Sequence, residues 1–336
     1  MYLGEPHNNS ESTDLDNAIA PTSRPLPSVS IGDAFDKVVQ LAPLSVDCVV
    51  TSPPYWGLRS YGHIHDDSVL DRWTSAHPSI LKTAMANHAP GYAWYRANGG
   101  VLGLEPYPQW FIGHLVEIFE RLKPSLKTTA SIWVNLGDTY FARWSSIRSD
   151  GRQGLGAGTR SRRRTPSGGV LTDKQLLMIP ARFAIAMQEA GWILRNDVIW
   201  AKTAVPPRAE GDRLRLSHEH LFHFVLRPKT GRAKYYYDVS AAEPRANDVI
   251  QVGAHKGSDG HSATFPKELV RPRIETSSPP GGLVVDPFCG TGRALEAAID
   301  AGRRAYGIEL SEHYARTARR NVRQAKERIL AKESDD

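Results

Sequence analysis

The sequence predicts an α/β fold, a mostly parallel seven-stranded sheet with helices on both faces. Three observations lead there. From residue 28 onward, short apolar runs alternate with segments of helical period, the pattern of a sheet covered on both sides. One run, Leu283-Val-Val-Asp-Pro-Phe288, ends in the turn Cys289-Gly-Thr-Gly292 and leads into a further helical segment. The next run closes on a carboxylate, Glu309.

The elements follow in order. The first 27 residues hold four acids and one arginine, with little that could build a core, and are expected to be a flexible tail. The strand candidates are 28–31, 46–51, 129–135, 193–200, 218–226, 283–288 and 303–309. A helix is predicted over 107–122, where Trp110, Phe111, Leu115, Ile118, Phe119 and Leu122 share one face and Pro124 follows the stop. Further helices are expected over 173–190, ending at Gly191, over 292–301, and over 311–333. On the last, Tyr314, Ala318, Val322 and Ile329 form an apolar stripe, and Ser311 is placed to cap the start. Two stretches, 57–104 and 141–172, interrupt the folded domain of 28–336. Insertions of that length are uncommon in a compact domain unless functional or disordered. Both are expected to touch the substrate.

The net charge of +6 is modest for 336 residues, but its distribution is uneven. Residues 141–172 hold seven arginines against the single acid Asp150, and such a cationic loop suits a polyanion, nucleic acid first. With 40% apolar and 23% charged residues, and Cys48 far from Cys289, the chain is neither disordered overall nor a disulfide scaffold. It holds no run of about 18 apolar residues, and its start is not that of a signal peptide. A soluble, cytoplasmic protein without a membrane partner is expected.

The segment from Asp286 to Gly292 reads as a cradle for a nucleoside. Gly290 and Gly292 permit positive φ and close approach of backbone to ligand, and the helix that opens at Gly292 presents free N–H groups. Glu309, at the end of the following strand, can accept from a ribose diol. A phosphate loop would need Lys-Ser/Thr after Gly292, where Arg293-Ala294 stands; a dinucleotide turn would need glycine at 295, which is leucine. S-adenosylmethionine is the ligand that remains.

The run Asp47-Cys-Val-Val-Thr-Ser-Pro-Pro-Tyr-Trp56 enters a turn with two successive prolines. Pro53 and Pro54 fix φ and remove two donors, so carbonyls and the Ser52 hydroxyl are held outward as acceptors. That pair suits a planar NH2 group, and Tyr55 and Trp56 offer rings on which a base can stack. Ser278-Pro279-Pro280 lacks the preceding apolar strand and the aromatic, and reads as a plain turn. The run His218-Glu219-His220-Leu-Phe-His223 has the wrong spacing for a metalloprotease and reads as a strand.

Together the two segments resemble the amino methyltransferases of DNA: Ser52-Pro53-Pro54-Tyr55 matches their catalytic tetrapeptide and Asp286 to Gly292 their cofactor motif, in the order of the β class. The likeness continues through Gly32-Asp33, Asn135-Leu-Gly-Asp138, residues 191–202, Asp212-Arg213, His218-Glu219, residues 235–238 and residues 261–266. It implies the S-adenosylmethionine-dependent methyltransferase fold with inserted DNA-recognition loops. Ser52, Pro53, Pro54 and Tyr55 would be catalytic. Asp33, Thr51, Phe265, Pro266, Asp286, Phe288, Cys289, Gly290, Thr291, Gly292, Glu309 and Leu310 would bind the cofactor, with no metal. Trp56, Arg59, Arg162, Arg163, Arg164 and Lys202 would contact double-stranded DNA. A cognate restriction endonuclease acting separately is a further expected partner. Only about 20 residues separate Asp238 from His261, where many β-class enzymes carry their recognition region, so base reading is expected from 57–104 and 141–172. Serine at the first tetrapeptide position goes more often with N4 of cytosine, and Asp or Asn with N6 of adenine. Cytosine N4 is therefore expected, with adenine N6 or a non-catalytic DNA-binding protein of the same fold as alternatives.

Overall fold

The computed structural model describes residues 28–56, 102–103, 105, 107–141, 172, 174–203, 211–242, 247–253 and 265–335. The N-terminal tail and nearly all of both insertions lie outside these residues. The sheet has eight strands among them: β1 (Val29–Ile31), β2 (Val46–Thr51), β3 (Leu126–Leu136), β4 (Ile193–Lys202), β5 (His218–Val225), β6 (Val249–Val252), β7 (Leu283–Asp286) and β8 (Arg304–Glu309). Their spatial order is β1-β8-β7-β2-β3-β5-β4-β6. Only β5 runs against its neighbours, β3 and β4; every other pairing is parallel. The expected count of seven is thus corrected to eight, in a mixed sheet. The added strand, β6, is an edge strand on β4 of four residues, Val-Ile-Gln-Val, none of them buried, too short an apolar stretch to stand out in the sequence.

The helices are α1 (Ala34–Lys37), α2 (Pro108–Leu122), α3 (Ile179–Glu189), α4 (Lys267–Ser277), α5 (Arg293–Asp300) and α6 (Glu312–Asp335). α3 begins six residues later than the predicted 173, because residues 174–178 form an irregular stem to the second insertion. α4 was not foreseen: Pro272 interrupts its interior and its apolar content is low. Gly191 adopts φ +92° just after α3, and Ser311 caps α6 by accepting from the Tyr314 N–H at 3.4 Å, both as the sequence predicts.

Alternation along the strands divides the core between two faces. Val49, Ile132, Val134, Val285 and Ile308 pack on one side with Phe35 of α1, Trp110, Phe111 and Phe119 of α2 and Phe183 of α3. Cys48, Val50, Trp133 and Val284 face the other side, against Leu269 and Ile274 of α4 and Ala294 and Ala297 of α5. Each large side chain sealed in this way stabilises the fold by about 1.5–3 kcal/mol. The helices on both faces leave the carboxyl ends of the parallel strands as the open edge.

Candidate active site

At that edge the ends of β1, β8, β7 and β2 stand side by side. Ile31 pairs with Glu309, Asp286 with Gly307, and the Thr51 hydroxyl donates to Asp286 Oδ1 at 2.6 Å. Open parallel sheets bind ligands beyond the carboxyl ends of their strands. Asp33 caps α1 by accepting from the Phe35 N–H at 2.7 Å, while the Gly32 N–H donates to the Glu309 carbonyl at 3.0 Å. Four of the predicted cofactor residues, each from a different strand end, are thereby drawn into one rim.

The glycine turn closes the rim from above. Gly290 and Gly292 adopt φ +53° and +89°, and a side chain at 292 would press on the Ala318 backbone at 3.2 Å. Glu309 holds the turn with both oxygens: Oε2 accepts from the Gly290 N–H at 2.8 Å and Oε1 from the Ser311 N–H at 2.9 Å. Asp286 accepts a second bond from the Phe288 N–H at 3.0 Å, and Asn321 of α6 donates to the Thr291 carbonyl. Burial pushes the Asp286 carboxyl up to about 7, against the lowering effect of its Thr51 and Phe288 bonds, with the charge of Glu309 adding to the rise. Burial raises Glu309 as well. The buried thiols of Cys48 and Cys289 are pushed upward too, which disfavours the thiolate that a cysteine nucleophile needs.

Ser52 to Tyr55 leave the end of β2 beside this rim, and the tyrosine enters a polar network. Its hydroxyl donates to Glu219 Oε2 at 2.5 Å and accepts from Asn135 Nδ2 at 2.8 Å; the Ser52 hydroxyl donates to it at 3.4 Å. Asn135 Nδ2 also donates to Glu219 Oε2 at 2.6 Å, and Lys202 forms an ion pair with Glu219 Oε1. Burial and the adjacent Glu219 charge hold the Tyr55 phenol well above its ordinary pKa, so it stays protonated. Asn135 Oδ1 is buried without a hydrogen-bond partner among the described residues. The tyrosine ring lies against Gly137, where a Cβ would stand 2.7 Å from Cε2.

Sequence reasoning missed this network as a unit. Asn135, Glu219 and Lys202 extend one face of β3, β5 and β4, continuing the apolar stripe of Trp133, Leu221, Val198 and Trp200. The signal that could have found them is two-residue periodicity in each strand, but only the pairing of segments over 80 residues apart brings them together. Two expected DNA contacts change character. Trp56 is 4% exposed and its indole N–H donates to the Glu105 carbonyl at 2.8 Å, so it anchors the turn in the core. Lys202 is bound into the Glu219 pair and also sits 4.9 Å from the Trp200 ring centroid. Phe265 is buried against the sheet, and Pro266 opens α4; Phe288 and Leu310 are half-buried at the rim. Arg59, Arg162, Arg163 and Arg164 lie outside the described residues. The flanks of the arginine-rich segment are tied together near the site. Tyr140 bridges to Leu176, Arg213 stacks over Tyr140 at 3.7 Å, and Asp138 Oδ1 accepts from the Thr139 and Ile179 N–H groups.

A doubly wound sheet with a glycine cradle at its open edge and an acceptor turn on the adjoining strand defines a methyltransferase-type fold. The chain belongs to the DNA methylase family, whose pattern matches residues 46–320, the methylases of N6 and N4 amino groups. It is 33% identical over 304 residues to the type II methyltransferase M.SmaI of Serratia marcescens, covering 88% of this chain and 90% of the relative. It is 35% identical over 295 residues to the type II methyltransferase M.XycI of Xanthomonas campestris pv. cyanopsidis, covering 85% and 84%. Its fold is similar to that of the PvuII DNA methyltransferase (cytosine-N4-specific), with a TM-score of 0.57, 16% identity and coverage of 90% and 92%. It is also similar to a DNA modification methylase of Thermus thermophilus, TTHA0409, complexed with S-adenosyl-L-methionine, with a TM-score of 0.53, 21% identity and coverage of 88% and 93%. No described helix is long and apolar enough to cross a membrane.

Proposed function

We propose that this DNA methyltransferase moves a methyl group from S-adenosylmethionine to the N4 amino group of a cytosine flipped out of double-stranded DNA. The observation that carries the reading is the junction of the two motifs: the Thr51–Asp286 bond sets the Ser52-Pro53-Pro54-Tyr55 turn directly beside the glycine cradle. The donor set suits the cofactor. Asp286 is a buried and Glu309 a half-buried carboxyl group, and their hydrogen-bond partners, among the described residues, are one hydroxyl and backbone N–H groups. A ligand with a ribose diol and cationic groups would supply the complementary donors and charge. When bound, the cofactor supplies an electrophilic methyl group.

The remaining work falls to the chain. An exocyclic amine cannot be reached in a stacked duplex, and extrusion costs a few kcal/mol; stacking on Tyr55 would offset about 1–3 kcal/mol of that. The network on its hydroxyl and the wall at Gly137 hold the ring in place for that contact. The amine's lone pair is delocalised into the base. Hydrogen bonds from NH2 to the Ser52 hydroxyl and the Pro53 carbonyl would draw the nitrogen toward tetrahedral geometry and aim its lone pair, a positioning effect able to supply much of the rate gain in a two-substrate displacement. Serine at position 52 is the feature on which cytosine, over adenine, rests. The segment 142–171, entered a few residues beyond Asn135 and Gly137, would grip the phosphates. Its relatives' designation as type II methyltransferases supports a separate restriction endonuclease of the same specificity as partner.

The test is tritiated methyl incorporation into DNA by wild type, Ser52→Ala and Tyr55→Ala. Both variants are expected to keep cofactor affinity while losing turnover, Ser52→Ala more in rate than in DNA affinity. Incorporation near wild type in both would overturn the assignment.

A further inference from the structure

Methylation of an amine leaves a proton to be removed, and the Ser52 hydroxyl is not a base. The described contacts around it form a directed chain. Ser52 donates to Tyr55 Oη at 3.4 Å, and Tyr55 donates to Glu219 Oε2 at 2.5 Å. Among the described residues, Tyr55, Asn135 and Lys202 all donate to the Glu219 carboxyl oxygens, so the chain of bonds runs toward Glu219 as acceptor. The Glu219 side chain is 10% exposed and that of Lys202 beyond it 22%, so the acceptor end of the chain borders a residue that reaches solvent. Among the described residues, Glu219 is linked to Ser52 through the Tyr55 hydroxyl.

We propose that Glu219 is the terminal acceptor of the proton released on methylation, reached through Ser52 and Tyr55; the proposal rests on the methyltransferase reading above. The amine nitrogen's lone pair forms the new N–C bond as the S–C bond breaks, leaving the sulfur neutral and the nitrogen cationic. One N–H proton passes to Ser52 Oγ, and the electrons of that bond return to nitrogen as its lone pair. In concert the Ser52 proton passes to Tyr55 Oη and the Tyr55 proton to Glu219 Oε2. Lys202 balances the carboxylate before transfer, Asn135 keeps the acceptor oxygen aligned, and the proton later leaves to solvent past Lys202.

Single-turnover methyl transfer separates this role from mere support of the tyrosine ring. Glu219→Gln can still accept the Tyr55 bond but not a proton, and is expected to slow transfer on the order of 100-fold, the range of one positioned proton acceptor. Cofactor affinity, DNA affinity and melting temperature should stay near wild type. Glu219→Ala should be equally slow, and added formate, filling the deleted carboxylate, should restore its rate with concentration while leaving wild type unchanged. Should the unpaired lysine prevent folding, Glu219→Gln with Lys202→Met removes both charges and carries the same expectation. A near-wild-type rate in Glu219→Gln, or a loss in Glu219→Ala that formate leaves untouched, overturns the proposal. Wild-type protein that methylates no DNA would instead sink the methyltransferase reading.

Discussion

The carboxyl of Asp286 ties the residues of the site to the stability of the chain. Its folded-state pKa of about 7 lies above the roughly 3.9 of an unfolded aspartate. A group raised on folding contributes stability below its unfolded pKa and loses it as pH climbs through the folded value. The contribution of Asp286 is therefore complete below about pH 4 and gone above about pH 7. Asp286→Asn cannot ionise, so wild type should lose a few degrees more of melting temperature between pH 5 and pH 8 than the variant does, measured by calorimetry. Parallel curves would contradict the assignment of burial as the cause. At this scale much was legible. Ser52, Tyr55, Gly290, Gly292 and Glu309 stand in short contiguous motifs whose chemistry is local, and the structure joins the two motifs at Thr51–Asp286. The intramolecular partners of Lys202 and Trp56 were not legible, because charge and aromaticity are visible in sequence whereas the group that meets each is not: Glu219 for one, the Glu105 carbonyl for the other.

Among the elements, the chain just beyond β3 comes close to the Ser52–Tyr55 turn. The Gly137 backbone leaves no room for a Cβ, which would stand 2.7 Å from the Tyr55 ring. Gly137→Ala should displace the ring, lowering methyl transfer sharply with little change in cofactor affinity by calorimetry. The opposite pattern is expected at the glycine cradle. There Gly290→Val strains a residue at φ +53° and Glu309→Ala frees the Gly290 and Ser311 N–H groups, so each should weaken S-adenosylmethionine binding. Unchanged affinity in both would remove the cradle from the cofactor site. Elements with strong apolar period, β2, α2 and α6, were readable to within a few residues. The weak ones, β6 with no buried residue and α4 with Pro272 in its interior, take their form from neighbours that a linear pattern does not contain.

Across the whole molecule, the sheet sorts its labour by strand direction. The parallel strands β1, β8, β7 and β2 bring the cofactor rim to one edge, and the reversed β5 delivers Glu219 to the same edge from its amino end. That reversal is what makes the polar network possible, and nothing in the local sequence announces it. The arginines of 141–172 belong to this scale, since their effect is on a long polyanion. Arg162, Arg163 and Arg164 changed together to Ala should weaken DNA binding and reduce the slope of log affinity against log salt by about 0.9 for each phosphate no longer neutralised. Cofactor binding should be spared; an unchanged slope would make the cluster a solvated surface. The central claim is more directly tested by nucleoside mass spectrometry on duplex DNA incubated with the purified protein and S-adenosylmethionine. The account predicts N4-methyl-2′-deoxycytidine; a methyl group found only on adenine N6 or on a ring carbon, or none at all, would contradict it.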